Sequence, residues 1–197
     1  MHLDNVPFQV KSTLQEPSVG RILIAEPFCD DIHFHRAVIL MIENQKNGCM
    51  GLVLNKQSGI MLHDIVNGLD HVDPIPIHIG GPVKSNHLFY IHNLGDLIPN
   101  SISLGNGLYI DGDFELILSF IRSGNLVAGR IMFFIGHTGW EWKQLQQEIR
   151  KNSWLVAENS ISQTFGTDIN TMWRRMIQSL DKGQQKWLYY PSLPTLN

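Results

Sequence analysis

The dipeptide Asn47-Gly48 lies between two apolar runs and limits the fold of this chain more than any other feature. Residues 36–42 and 49–54 are both rich in Val, Ile, Leu and Met. Asn-Gly between two such runs is the strongest short signal for a tight turn between antiparallel strands. We therefore predict two strands paired as a hairpin, with the turn at residues 45–48.

Further apolar runs and turn signals predict other strands and helices along the chain. The expected strands are 21–25, 75–79, 88–92, 101–104, 107–110, 130–135 and 154–157. The expected helices are 60–66, 113–121, 141–152 and 168–180, and Asp113 or Asp111 and then Asp168 can cap the second and the last. Hairpins with helices between them indicate an α+β fold with a mixed, largely antiparallel sheet.

The chain of 197 residues suits a single domain. We assign residues 1–18 to an N-terminal arm, 19–182 to the α+β domain and 183–197 to a C-terminal tail. The tail carries aromatic residues and prolines. It is expected either to pack loosely or to contact a second copy, which would make the protein a homo-oligomer.

Charge and composition argue against two classes of partner. The net charge is −3 and no Lys/Arg cluster exceeds a pair, so nucleic acid is disfavoured as a partner. No apolar run approaches the roughly 20 residues that span a bilayer, and the polar N-terminus is not a signal peptide. Two cysteines without a CxxC pair indicate a cytoplasmic protein with reduced thiols.

The stretch from Gly136 to Trp154 has two interpretations. Thr138 and Glu141 have the spacing of a capping box, which predicts a helix with Thr138 as N-cap. Alternatively, a strand, a glycine turn and a helix could hold an anion on free N–H groups. The stretch matches neither the phosphate-binding loop nor the nucleophile elbow, so we favour the structural interpretation.

Titratable side chains are concentrated between Cys29 and Arg36. His33, His35 and Asp31, joined by His137 from elsewhere, form the basis of an alternative hypothesis, a metal-dependent or hydrolytic enzyme. Cys29 is a poor candidate for a nucleophile because two aspartates follow it and oppose the thiolate. We assign no catalytic residue, no metal ligand and no cofactor, and expect a protein without enzymatic activity.

Gly80-Gly81-Pro82 predicts a sharp change of chain direction after a strand. A tight corner explains these residues, and so does close approach of a ligand or of another backbone.

Several motifs together resemble the YqgE/AlgH family of bacterial proteins. The family pattern D-P-x-F-x-R-S-V is matched by residues 31–38, N-G-A-M-G-x-x-x-N-K-P by residues 47–57, and G-G-P by residues 80–82. G-Y-A-G-W with G-Q-L-E-x-E-I is matched by residues 136–149, N-x-W-L by residues 152–155, and a late W-R by Trp173-Arg174. The chain departs from the pattern at Ile32, Ala37, Cys49 and His137. The departures at Cys49 and His137 argue against a catalytic role for those two positions, and the same applies to Thr138.

The resemblance implies a single α+β domain with a strongly curved or barrel-like sheet and several flanking helices. It also implies no established enzymatic activity, although one branch is named for transcriptional regulation of alginate synthesis. Our leading hypothesis is a regulatory protein that acts through a protein partner or a small ligand, and a weak nucleic-acid-binding regulator is a further alternative. The candidate ligand or partner surface consists of Asp31, Phe34, Arg36, Asn55, Gly80, Gly81, Pro82, Gly136, Gly139, Trp140 and Gln144.

Overall fold

Ten strands form one hydrogen-bonded sheet within residues 16–190, the part of the chain that the computed structural model describes. The strands are β1 (Ile22–Ala25), β2 (Val38–Gln45), β3 (Gly48–Val53), β4 (Gln57–Met61), β5 (Pro76–Ile79), β6 (Val83–His92), β7 (Ile102–Gly105), β8 (Leu108–Ile110), β9 (Ile131–Trp140) and β10 (Trp154–Ala157). The helices are α1 (Phe114–Arg122), α2 (Trp142–Arg150), α3 (Ile161–Phe165) and α4 (Ile169–Gln178).

The strands follow the order β10-β1-β2-β3-β9-β6-β8-β7, while β5 pairs with β9 and β4 pairs with β5. The β5–β9 pair is parallel and the other described pairs are antiparallel, so the predicted mixed, largely antiparallel α+β fold is confirmed. The sheet curls until its ends meet without pairing. Asn106 Nδ2, between β7 and β8, donates to the carbonyl of Asn159, just after β10, at 3.0 Å.

The sheet separates three hydrophobic cores, because successive residues of a strand face opposite sides. The first contains residues from both halves of the sheet together with α4 and Trp187. The second lies between α2 and the outer side of β1, β2 and β3. The third lies between α1 and the outer side of β5, β6 and β9.

Local signals predicted several elements correctly. The β2–β3 hairpin forms as expected around Asn47-Gly48, with Gln45 opposite Gly48. Asp113 caps α1 by accepting from the backbone N–H of Leu116, and Asp168 caps α4 by accepting from that of Asn170. These are the N-caps that the sequence indicated.

Two predicted helix starts are wrong. Residues 60–66 do not form a helix, because strand β4 continues through Met61 beside β5 and only the short 3₁₀ turn Leu62–Asp64 follows. Thr138 is not a helix N-cap, because β9 extends through Trp140 and pairs there with β3. The N-cap of α2 is Glu141, whose side chain makes no capping hydrogen bond.

The start of the assigned tail packs against the domain. Gln184 and Trp187 are buried in the 3₁₀ segment Gln184–Tyr189, and Trp187 belongs to the first core. The prediction of loose packing is therefore wrong for these residues, while 191–197 and most of the N-terminal arm (1–15) lie outside the described residues. Within the described part, no helix is both long and apolar enough to cross a bilayer.

Candidate ligand-binding site

An aromatic cluster joins the loop before β2 to the end of β9. The ring of Phe34 stacks on Trp140 with centroids 6.3 Å apart and meets Trp154 edge-on at 5.6 Å. Both indole N–H groups donate to the same carboxylate oxygen of Glu148, at 3.0 Å from Trp140 and 2.7 Å from Trp154. Gln144 donates to the other oxygen at 2.9 Å. These contacts connect α2 to the sheet, and Trp140 is buried within the cluster.

Asn55 and Arg36 hold the chain as it enters β2. Asn55 Oδ1 accepts from the backbone N–H of Val38, and its Nδ2 donates to the carbonyl of Arg36, each at 2.9 Å. Arg36 has a left-handed backbone with φ of 50°, which is uncommon for a residue other than glycine. Its guanidinium lies 4.7 Å from the ring centroid of Trp173 and donates to the carbonyl of Tyr190. Both side chains therefore have structural partners.

The Gly80-Gly81-Pro82 segment crosses over β9. β5 pairs with one edge of β9 and β6 with the other, so the three residues between them must pass across the strand. A Cβ at Gly80 would lie 2.3 Å from the Gly136 carbonyl oxygen, and a Cβ at Gly81 would lie 2.3 Å from the His137 carbonyl carbon. Gly136 has φ of 68°, and a Cβ there would lie 2.8 Å from the carbonyl oxygen of Gly81. The close approach that the glycines permit is thus between two segments of this chain.

The eleven residues of the candidate surface fall into three structural groups. Phe34, Trp140 and Gln144 meet in the aromatic cluster, whose loop also contains the exposed Asp31. Arg36 and Asn55 form a second group, and the three glycines of the crossing form a third. Gly139 and Pro82 are exposed on the strand and on the crossing. None of the eleven lines either of the two cavities described below.

The residues of the enzyme hypothesis are not brought together as a metal site. His33 is exposed, His35 Nδ1 faces the carbonyl of Cys29 at 3.2 Å, and the His137 ring lies 5.8 Å from that of Phe89. Among the described residues, no group of three or more His, Cys, Asp or Glu side chains is placed to hold a metal ion.

Cys29 has the wrong electrostatic environment for a nucleophile. Burial raises the pKa of its thiol, and Glu26, Asp31 and Asp30 raise it further, while a hydrogen bond from the backbone of Asp31 opposes them. The thiol form is therefore favoured at neutral pH, in agreement with the interpretation of the sequence.

A cavity of about 530 Å³ lies elsewhere, where β5 and β9 begin. Its walls come from four segments: residues 71–78, the end of α1, the loop 124–129 with the start of β9, and residues 164–169. The lining combines apolar side chains, such as Ile75, Ile131, Met132 and Phe165, with polar ones. The polar residues are His71, Asp73, His78, Asn125, Thr164 and Thr167. A volume of this size is within the range of small-molecule sites. A second, shallow cavity lies beside Asn159 and α3.

Two buried polar residues, His78 and Thr164, line this cavity, and the Thr164 hydroxyl donates to Oδ1 of Asn159. The surroundings of His78 are different. Its side chain lies in the middle of β5 against the ring of Phe134, with centroids 5.4 Å apart, and only 5% of the residue is exposed. Burial lowers the pKa of the imidazole, although the backbone of Phe133 opposes this shift, so the ring is neutral at pH 7. Nδ1 is buried and has no hydrogen-bond partner among the described residues.

The sequence interpretation missed this site. One signal was available: His78 occupies an inward position of the apolar strand Ile75-Pro-Ile-His-Ile79, where a histidine needs a partner. The cavity itself has no local signature, because its walls come from segments up to almost one hundred residues apart, from His71 to Ile169.

Comparison with known proteins places the chain among bacterial relatives. A family model described as AlgH-like matches residues 22–184. A UPF0301 protein of Bacteroides fragilis is 39% identical over 197 residues, which is 100% of both chains. A UPF0301 protein of Chlorobium luteolum is 35% identical over 180 residues, covering 91% of this chain and 95% of the relative.

Two solved structures share the fold. A crystal structure from Corynebacterium diphtheriae has a TM-score of 0.75 at 21% identity and covers 96% of this chain and 100% of its own. The solution structure of the AlgH protein from Pseudomonas aeruginosa has a TM-score of 0.64 at 23% identity, covering 85% and 94%. At identities of 21% and 23%, the structural similarity shows a shared fold.

Proposed function

The chain belongs to the AlgH-like family, and from the geometry of its cavity we propose that it is a cytoplasmic, non-enzymatic regulatory protein that binds a small ligand. One observation carries the proposal: a buried histidine lines the cavity, and its Nδ1 has no hydrogen-bond partner among residues 16–190. Buried polar atoms in folded proteins are nearly always paired, so an exception inside a cavity marks a place for a ligand atom. Small-molecule sites commonly combine apolar walls with polar groups that fix the orientation of the ligand.

The chemistry of the other candidate residues supports binding over catalysis. The side chains of Asn55, Arg36 and Glu148 are engaged in contacts that hold the fold together. The thiol of Cys29 has a raised pKa, which weakens it as a nucleophile. The net charge of −3 gives no support to a nucleic-acid partner.

An uncharged fluorescent probe tests the proposal. N-phenyl-1-naphthylamine fluoresces in apolar surroundings, and we expect saturable enhancement when the chain is titrated with it. Ala128→Trp places a large side chain at an exposed position of the cavity lining and is expected to weaken the probe's binding at least tenfold. Ile102→Trp changes an exposed residue on β7 that does not line the cavity, and serves as the matched control.

Both variants are first checked for an unchanged melting temperature. Equal probe binding by Ala128→Trp and the wild-type chain, or no saturable binding by either, would refute the proposed site.

A further inference from the structure

The exposures of His78 and Leu126 distinguish the inner end of the cavity from its mouth. His78 is 5% exposed, whereas Leu126, on the loop between α1 and β9, lines the same cavity and is 70% exposed. From this difference in exposure we assign the histidine to the inner end of the cavity and the leucine to its mouth. With this assignment, the atoms of a ligand that extend furthest past Leu126 reach His78, whose Nδ1 has no hydrogen-bond partner within the described part of the chain.

The charges around the cavity argue against an anion. The lining residues, all within the described part of the chain, include no Lys or Arg, and the one carboxylate among them, on Asp73, is exposed. An anion taken into this cavity would lose its hydration without meeting a Lys or Arg side chain of the lining. Burial lowers the pKa of His78, so the imidazole does not supply the missing charge at pH 7.

The buried histidine also argues against a purely apolar ligand. A hydrocarbon would leave Nδ1 without a hydrogen bond and would still exclude water from it. A neutral imidazole presents either a donor or an acceptor at Nδ1, depending on its tautomer. A hydroxyl or a primary amide satisfies both cases, because each contains a donor and an acceptor.

Apolar side chains in the rest of the lining can pack against the apolar part of a ligand. Ile131 and Met132 lie at the start of β9, Phe165 ends α3, and Ile169 begins α4. These side chains supply an apolar lining to a space of about 530 Å³. Burial of a ligand's hydrocarbon portion against them provides a driving force proportional to the area removed from water.

We infer that the ligand is an uncharged molecule with an apolar body and a hydroxyl or amide group, and that this group hydrogen-bonds to Nδ1 of His78 while the body extends toward Leu126. The inference rests on the proposed function, because it requires the cavity to be a ligand site.

Two ligands of equal chain length test the inference. Calorimetric titration at pH 7 compares 1-octanol with octanoate on the wild-type chain, and we expect 1-octanol to bind at least tenfold more tightly. In the variant His78→Phe the affinity for 1-octanol is expected to fall at least fivefold. The variant His78→Gln keeps a donor and an acceptor, so we expect it to bind 1-octanol more tightly than His78→Phe does. The comparison on the wild-type chain does not depend on the folding of either variant.

The outcomes separate this inference from the proposed function. Equal or tighter binding of octanoate, or undiminished 1-octanol binding by a folded His78→Phe, overturns the assignment of ligand class. So does failure of 1-octanol to bind while N-phenyl-1-naphthylamine still binds and is blocked by Ala128→Trp, a result that leaves the proposed function standing. If neither 1-octanol nor the probe binds the wild-type chain, the proposed function fails and the inference fails with it.

Discussion

Gly81 lies so close to the backbone of His137 that no side chain fits between them. A Cβ at position 81 would lie 2.3 Å from the His137 carbonyl carbon and 2.5 Å from the nitrogen of Thr138. Backbone atoms of a paired central strand cannot move aside as a flexible side chain can. We expect Gly81→Ala to lower the free energy of unfolding by about 3 kcal/mol, measured by urea denaturation.

Gly139 provides the matched control on the same strand. A Cβ there would lie 3.8 Å from the Cys49 carbonyl oxygen, which is ordinary contact, so Gly139→Ala is expected to change the free energy of unfolding by less than about 0.5 kcal/mol. Similar losses for the two variants would mean that the crossing over β9 is looser than described.

Trp140 is a core residue, and its loss is expected to be costly. The side chain is 6% exposed and packs between Phe34, Trp154 and α2. Trp140→Ala is therefore expected to lower the free energy of unfolding by about 3–5 kcal/mol. Circular dichroism during urea unfolding measures this without relying on tryptophan fluorescence. An unchanged unfolding midpoint would instead place Trp140 on a binding surface.

The carboxylate of Glu148 accepts three side-chain hydrogen bonds, from Trp140, Trp154 and Gln144. We expect Glu148→Ala to lower the free energy of unfolding by about 2 kcal/mol, because both indole N–H groups lose their partner. Gln147→Ala, at an exposed position of the same helix, should have an effect below about 0.5 kcal/mol. Equal effects would show that the carboxylate does not stabilise the cluster.

Asn55 is expected to contribute to stability through its two hydrogen bonds. Asn55→Ala leaves the backbone N–H of Val38 and the carbonyl of Arg36 without this partner, so the free energy of unfolding should fall by about 2 kcal/mol. The exposed neighbour Gln57 provides the control Gln57→Ala. Loss of a ligand-dependent signal without loss of stability would argue that Asn55 belongs to a binding surface.

Three histidines make the stability of the protein sensitive to acid. Burial lowers the pKa values of His78, His92 and His137 below 6.5. The unfolded chain therefore binds more protons just below pH 6.5, and the free energy of unfolding falls as the pH falls from 6.5 toward the folded pKa values. The contribution of these groups is complete above pH 6.5.

The variant His78→Phe measures the contribution of one of these three histidines to the pH dependence of stability. Its curve of unfolding free energy against pH should be less steep below pH 6.5, by at most ~1.4 kcal/mol per pH unit, the value for one proton. Gln57→Ala, which removes no titratable group, should leave the slope unchanged. An unaltered slope in a folded His78→Phe would mean that the imidazole of His78 is not held neutral.

The sequence by itself determined the features whose signals are local. Asn47-Gly48 between apolar runs specified the β2–β3 hairpin, and Asp113 and Asp168 specified the starts of α1 and α4. Apolar runs, turn signals and the order of hairpins and helices were enough for the fold class. These signals act within a few residues, so the printed sequence contains all of the information that they need.

Tertiary structure determined the conformation wherever a local sequence signal competed with strand pairing to a distant segment. The spacing of Thr138 and Glu141 suits a capping box, but the backbone around Thr138 hydrogen-bonds to β3, with Thr138 opposite Gly51, and the strand continues. The roles of Gly80 and Gly81 depend on β9, more than fifty residues later in the chain. The cavity around His78 depends on contacts among four separate segments, and no local pattern could place its walls together.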